Sequence, residues 1–118
     1  MSTLTFSDAS RDCAFLLSEA PGTLSREEIT VASGENLAAG TLVGKVTIGG
    51  EYVAYDDDGT DDGRRTAAGV LLHACNATDA AQKAVMIARL AEVSTSKLTG
   101  SDANGLADLA DLTIIARA

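Results

Sequence analysis

The residues with the most obvious chemical potential are one histidine and a nearby cysteine. His73 and Cys75 are two positions apart on a predicted strand, so their side chains would face the same side. A Cys–His nucleophilic pair has this arrangement, but it also needs an acid that orients the histidine. The neighbours Leu72 and Ala74 are apolar, which is typical of a structural strand. The pattern therefore favours a structural role for both residues, and we expect no enzymatic activity.

An acidic loop at residues 56–63 is the most obvious candidate metal site. Its sequence, DDDGTDDG, gives an EF-hand register that starts at Asp58 and places Gly69 at the twelfth position. Calcium binding needs a bidentate glutamate there. Zinc is disfavoured as well, because one histidine and two cysteines fall short of the four ligands of a structural site. We predict a solvated hairpin loop without metal or cofactor, with weak calcium binding by the bunched carboxylates as the alternative.

The glycines at residues 40–44 bear only a superficial likeness to a phosphate-binding loop. Gly40 and Gly44 are separated by three residues where the motif has four. Val46 stands where a serine or threonine would hold magnesium. We therefore predict that these glycines form turns between strands.

Composition limits the classes of partner. The chain has 118 residues, which predicts one domain, and its 17 acidic and 9 basic residues give a net charge of −8. Nucleic-acid binding needs clustered basic residues, so we expect none. The apolar runs are short and no basic-then-apolar leader opens the chain, so we expect no membrane association. Without such a leader, Cys13 and Cys75 are expected to be reduced thiols, and a disulfide between them is the alternative.

The hydrophobic pattern predicts a mostly β domain with one short C-terminal helix. Ser101 or Asp102 is suited to cap that helix, which carries Leu106, Leu109 and Ala110 at helical spacing. Residues 76–82 have a turn-like composition. Val93 is predicted to prolong the preceding strand after a bend. The predicted strands are 29–31, 42–48, 51–55, 66–75, 84–89 and 112–118, with the second and third forming a hairpin.

The first 24 residues are predicted to form an N-terminal arm that precedes a β-rich domain at residues 25–118. Pro21 and Gly22 form a turn that separates the two parts, because proline lacks an N–H and glycine is conformationally permissive. Aromatic residues make up only 3% of the chain, so the core is expected to be thin. Self-association would bury more apolar surface.

The arm holds the bulkiest anchors of the chain. Both phenylalanines lie in it, at Phe6 and Phe15, and Leu4 and Phe6 alternate as in a strand. Such side chains either dock onto a partner or pack on the domain's own core. The predicted partner-binding residues of the arm are Leu4, Thr5, Phe6, Phe15, Leu16, Leu17, Pro21 and Gly22.

Beyond these local patterns, five segments are distinctive through their order and spacing together. They are ITVA at 29–32 followed by Gly34, LAAGTLVGKV at 37–46, TAAGVLL at 66–72, VMIARLAEV at 85–93 and LADLTIIAR at 109–117. In these segments, residues 25–118 resemble the head decoration proteins of tailed bacteriophages, of the bacteriophage lambda protein D type. Residues 111–113 depart from the family, in which glycine or a small residue is more usual before the last strand.

The resemblance implies a β-clip-like domain that does no chemistry. Such proteins assemble as trimers on the outside of the expanded head, at three-fold and quasi-three-fold positions, and stabilise it against the pressure of packaged DNA. The implied partners are the major capsid protein and further copies of the chain, in the virion and, during assembly, in the host cytoplasm. The arm would add a strand to capsid-protein β-structure, as in β-augmentation. The alternative is a non-viral oligomeric binding module that uses the acidic loop to bind a cation or a basic partner.

Overall fold

A computed structural model describes residues 14–117, and it is mostly β with one short helix near the C-terminus, as predicted. The finer expectation of a β-clip topology stays a prediction. The helix α1 spans Ala103–Asp111, and a turn of 3-10 helix at Thr95–Lys97 precedes it. The strands are β1 Leu16–Glu19, β2 Arg26–Val31, β3 Glu35–Leu37, β4 Leu42–Lys45, β5 Tyr52–Ala54, β6 Gly69–Leu71, β7 Cys75–Ala77, β8 Gln82–Ile87, β9 Ala91–Ser94 and β10 Ile114–Arg117.

Five strands close into a barrel in the order β2-β5-β4-β6-β8. Neighbouring strands are antiparallel except β2 and β5, which pair in parallel at Val31 and Tyr52. The β4–β5 pair confirms the predicted hairpin. Successive residues of a strand point to opposite faces, so one set fills the barrel interior. This set belongs to a buried cluster to which the separate β3–β7 pair also contributes, through Leu37, Cys75 and Ala77. The other buried residues of this inner cluster are Ile29, Val31, Val43, Leu71, Met86 and Ala88.

A second core lies outside the barrel wall, beneath a three-stranded sheet. In this sheet β9 is central, antiparallel to β1 and parallel to β10. Parts of the barrel strands β4, β6 and β8 are buried on both faces, because Leu42, Val70 and Ile87 enter this second core while their neighbours enter the first. Its buried residues are Phe15, Leu42, Tyr55, Ala67, Val70, Leu72, Ile87, Ala91, Val93, Leu109 and Ile114.

The helix begins where the sequence predicts, at an aspartate cap. Asp102 Oδ1 accepts a hydrogen bond from the backbone N–H of Gly105 at 2.6 Å. The same oxygen accepts a bond from the hydroxyl of buried Tyr55 at 2.8 Å. A Cβ atom at Gly105 would lie 2.8 Å from Tyr55 Cε2, so only glycine lets the helix approach the barrel this closely. The Asp102 carboxylate therefore caps the helix and also connects it to Tyr55, the residue that follows β5.

Two predicted elements in the middle of the chain are wrong. Residues 66–75 do not form one strand, because β6 ends at Leu71 and the chain then leaves the barrel to start β7 at Cys75. Residues 75–77, which overlap the predicted turn, pair with β3. A continuous apolar run does not reveal where a strand changes partner. Similarly, β4 stops at Lys45, three residues early, and Ile48 is 89% exposed in the turn that follows.

The turn between α1 and β10 is made by residues that do not favour it. Thr113 has φ +63°, the left-handed conformation that glycine usually supplies after a helix. Its backbone N–H bonds the Ala110 carbonyl at 3.0 Å. The sequence offers no glycine here, and the turn is made with a threonine in the left-handed conformation.

Candidate functional site

The structure describes only part of the predicted arm. Leu4, Thr5 and Phe6 lie outside residues 14–117, so their role stays a prediction. Residues 14–24 are described, and they run along the domain as β1 and a turn. The candidate site is therefore the sheet β1-β9-β10, where the N-terminal segment joins the domain.

Phe15 packs into the domain's own core, which was the alternative to docking on a partner. Its side chain is 2% exposed and lies in the cluster that contains Val93 and Ile114. Its carbonyl accepts a hydrogen bond from the backbone N–H of Ser94 at 2.7 Å. The predicted contact of Phe15 with a partner would therefore require β1 to leave the sheet.

The other described arm residues differ in exposure. Leu16 is partly buried against the same core, whereas Leu17 is 53% exposed. Pro21 and Gly22 are exposed in the turn after β1, where Gly22 has φ +66°. The predicted turn at these two residues is confirmed, and Leu17, Pro21 and Gly22 present surface that a partner can reach.

A buried serine fastens the end of β1. Ser25 is fully buried, and its hydroxyl oxygen accepts a bond from the backbone N–H of Ala20 at 2.9 Å. The same hydroxyl donates to the carbonyl of Leu90 at 2.9 Å. Ser25 thus joins the end of β1 to the corner between β8 and β9. The sequence analysis missed this role, because a serine after a turn has no pattern that separates it from an ordinary polar residue.

An ion pair adds a second fastening at the same end of β1. The guanidinium of Arg26 donates to both carboxylate oxygens of Glu19, at 2.9 and 2.7 Å. These hydrogen bonds lower the pKa of Glu19 below its ordinary value, with a further contribution from the positive charge. An arginine–carboxylate pair is strongest when it is bidentate, so the Arg26–Glu19 pair helps to keep β1 attached to the domain.

The acidic loop is exposed at Asp56, Asp58 and Asp61, as expected of a solvated loop, but it is also anchored to the domain. The carbonyl of Asp62 accepts from the N–H of Thr47 at 2.7 Å. Gly63 has φ +115°, and a Cβ there would lie 2.1 Å from a β4 carbonyl oxygen. These contacts hold the loop against the β4–β5 hairpin.

One aspartate of the loop forms an ion pair, and other hydrogen bonds connect the loop region to the helix. Arg64 donates to both carboxylate oxygens of Asp62 at 2.9 and 2.8 Å, which lowers the pKa of Asp62 to about 2. Asn104 of α1 bonds the Asp57 carboxylate at 2.8 Å, and Asp108 accepts from the N–H of Ala67 at 3.0 Å. Within residues 14–117, no three His, Cys, Asp or Glu side chains are grouped so that they could hold a metal ion. The loop is a docked structural element.

His73 and Cys75 do not share one strand. His73 is exposed in the bend before β7, whereas Cys75 begins that strand with its side chain buried. Cys75 is a free thiol, and burial raises its pKa, which suppresses the reactive thiolate. The thiol and the imidazole therefore lie in different environments, one buried and one exposed.

The glycines at residues 40 and 44 serve two different structural purposes. Gly40 turns the chain with φ +83°, as predicted. The predicted turn is wrong for Gly44, which lies inside β4, where a Cβ would lie 2.7 Å from the Cα of Arg64. The absence of a side chain at Gly44 allows the residue after the acidic loop to cross β4 closely.

No helix in the described part of the chain is long and apolar enough to span a membrane.

These features define a small β-barrel domain that carries its N-terminal segment on a separate three-stranded sheet. The family model for bacteriophage lambda head decoration protein D matches residues 5–114. The match spans most of the sequence, so the chain belongs to this family of phage head decoration proteins, and the resemblance is confirmed. Curated protein sequences give no match.

Membership of this family gives the general function. The chain is a capsid decoration protein that associates with the phage head, in a structural class that is not a class of enzymes. The alternative interpretation as a non-viral binding module is set aside by the family match.

Proposed function

We propose that this chain binds as a homotrimer to the outside of an expanded phage head, at the three-fold and quasi-three-fold positions. There it holds neighbouring copies of the major capsid protein together against the pressure of packaged DNA. The observation that carries this proposal is the family match over residues 5–114, which includes Thr5 and Phe6 as well as the β domain. Such a protein acts on the outer capsid surface in the virion and is present in the host cytoplasm during assembly.

The proposed capsid contact is the N-terminal arm, residues 1–24. Leu4, Thr5 and Phe6 have the alternation that suits a strand added to capsid-protein β-structure. The described part of the arm supports two different roles for its two halves. Because Phe15 is buried in the core, residues 14–20 anchor the arm, and residues 1–13 are the part that reaches the capsid.

The trimer is supported by the character of the core. The apolar residues are mostly aliphatic and small, with two tyrosines and two phenylalanines in the whole chain. A small domain of this kind buries a modest fraction of its surface alone, and contacts between copies add to it. The net charge of −8 suits the outside of the shell, because it disfavours contact with the packaged genome.

Decoration of capsids tests this proposal directly. Expanded capsids that lack decoration protein are mixed with the full chain or with a chain lacking residues 2–13. We expect the full chain to saturate the capsids and to give density at the three-fold positions in electron microscopy. The shortened chain should fold but fail to bind, because it keeps Phe15 and β1 but loses the arm.

Light scattering on the same samples measures the copy number of the assembly, with a trimer expected either free or on the capsid. Full decoration by the shortened chain would contradict the role of the arm. Absence of binding by the full chain would contradict the proposed function as a whole.

A further inference from the structure

One dipeptide in the helix has a reactivity that the proposed function does not use. Asn104 is followed by Gly105, whereas the other asparagines, Asn36 and Asn76, are followed by leucine and alanine. In an Asn-Gly sequence the glycine nitrogen attacks the asparagine side-chain carbon readily, because glycine has no side chain to block the approach. Asparagine in this context is therefore prone to spontaneous deamidation, which converts the neutral amide into a carboxylate.

The glycine of this dipeptide is required by packing. Gly105 is buried in α1, and a Cβ there would lie 2.8 Å from Tyr55 Cε2 and 2.9 Å from Leu42 Cδ2. Because protein interiors are close-packed, a side chain at residue 105 would push the helix away from the barrel. The fold therefore keeps the glycine, and the reactivity of Asn104 comes with it.

Two hydrogen bonds hold the reacting groups of the dipeptide apart. The attacking group, the backbone N–H of Gly105, donates to Asp102 Oδ1 at 2.6 Å. The leaving group, the side-chain nitrogen of Asn104, donates to Asp57 Oδ2 at 2.8 Å. Asn104 is also helical, and helical dihedral angles keep the next backbone nitrogen out of line with the side-chain carbon. Deamidation therefore requires the first turn of α1 to open.

The surroundings of Asn104 give a new charge there a large effect. Burial and the hydrogen bond to Asp102 raise the pKa of Tyr55. Three negative charges add to this rise, so these carboxylates already converge on one region; they belong to Asp102, Asp57 and Asp108. A carboxylate at residue 104 would lose the N–H that Asp57 accepts and would face Asp57 as a like charge. This repulsion opposes the usual preference for acidic residues at a helix start.

We propose that Asn104 is a deamidation site that the fold protects, and that its conversion releases the acidic loop from α1. In the first step the Gly105 nitrogen loses its proton and bonds to the side-chain carbon of Asn104, and the amide nitrogen leaves as ammonia. Water then opens the cyclic imide to aspartate or isoaspartate. Isoaspartate routes the backbone through the side chain, so the first turn of the helix cannot form again. The inference is independent of capsid binding.

Rates of conversion in the full chain test the protection. Peptide mapping by mass spectrometry measures deamidation at residue 104 at mildly alkaline pH. In the folded chain we expect it to be at least about tenfold slower than in the same chain unfolded in urea, because the helix must open first. Asp57→Ala should accelerate it about threefold through the loss of one hydrogen bond. The control Asp58→Ala removes the same charge from an exposed neighbour and should match the wild type.

Two variants of Asn104 test the consequence of conversion. Asn104→Asp imitates one product, and Asn104→Ala removes the bond to Asp57 without adding a charge. We expect Asn104→Asp to have the lower urea midpoint and the faster amide hydrogen exchange in residues 56–63. The difference in midpoint should shrink at high salt, because repulsion between exposed carboxylates is screened.

Three results would overturn the inference. Deamidation at residue 104 that is absent in urea, or equally fast in the folded chain, would show that the fold protects no reactive site. Equal rates in Asp57→Ala and Asp58→Ala would show that the bond to Asp57 does not protect Asn104. A urea midpoint of Asn104→Asp at or above that of Asn104→Ala would show that conversion does not release the loop. The proposed function stands in each case.

Discussion

Leu90 and Thr113 are joined by a hydrogen bond and share an unusual backbone conformation. The N–H of Leu90 donates to Thr113 Oγ1 at 3.0 Å, and the two residues are the non-glycine residues with positive φ in the described chain. The N–H of Ala91 also bonds the carbonyl of Thr113, at 3.2 Å. The corner before β9 and the turn before β10 are thus built as one unit, and each strained turn holds the other in place.

The first prediction concerns Thr113. Thr113→Val keeps the shape and the strained φ but removes the acceptor for Leu90, so we expect a loss of about 1 kcal/mol in the free energy of unfolding. Thr113→Gly also removes the acceptor but relieves a strain of about 1 kcal/mol, so it should be nearly neutral. Urea denaturation measures both. Equal losses in the two variants would show that the backbone at residue 113 is not strained.

The second prediction concerns the anchoring of the helix. Asp102→Ala removes the N-cap and leaves the buried Tyr55 hydroxyl without its acceptor, so we expect a loss of about 2 kcal/mol in the free energy of unfolding. The neighbouring Ser101→Ala is the control and should change stability by less than about 0.5 kcal/mol. Chemical denaturation followed by circular dichroism distinguishes them. Similar values for the two variants would argue against the cap.

The third prediction separates core from arm. Phe15→Ala should lower the free energy of unfolding by about 3–5 kcal/mol, because it leaves a cavity beside Val93 and Ile114. The exposed neighbour Leu17→Ala should cost less than about 0.5 kcal/mol. Thermal denaturation of both variants is the measurement. A stable Phe15→Ala variant would mean that β1 does not pack on the domain in solution.

The fourth prediction is a pH dependence of stability. The pKa of Asp62 is about 2 in the folded protein against an ordinary value of 3.8, so Asp62 stabilises the fold where it is ionised in both states. That contribution is present above about pH 4 and is lost as the pH falls through the folded value near 2. Unfolding free energies of wild type and Asp62→Asn should therefore differ at pH 6 and converge toward pH 2. A difference that persists unchanged below pH 2 would have another origin.

The predictability of this fold follows the range of the interactions that determine it. The helix was predictable because Asp102 and the spacing of Leu106 and Leu109 are local signals. The β4–β5 hairpin was predictable because Gly49 and Gly50 mark its turn. Both features depend on residues within a few positions of each other.

Features that depend on distant contacts could not be predicted in this way. No local pattern shows that Phe15 fills the core beside β9, since the two segments are far apart in the chain. Leu90 and Thr113 occupy conformations that their residue types disfavour, so propensity points away from them. In the candidate site, the arm's composition indicated a role, but the hydrogen bonds of the Ser25 hydroxyl form only once the end of β1 meets the corner before β9.

The pairing of β9 with both β1 and β10 has a consequence for synthesis of the protein. The first and the last strands of the described chain complete one sheet, so that sheet cannot form until nearly all residues have left the ribosome. The barrel can close earlier, because its last strand ends at Ile87. A chain that stops short of β10 would therefore lack the complete β1-β9-β10 sheet from which the N-terminal segment extends. We expect such incomplete copies to bind poorly to the phage head.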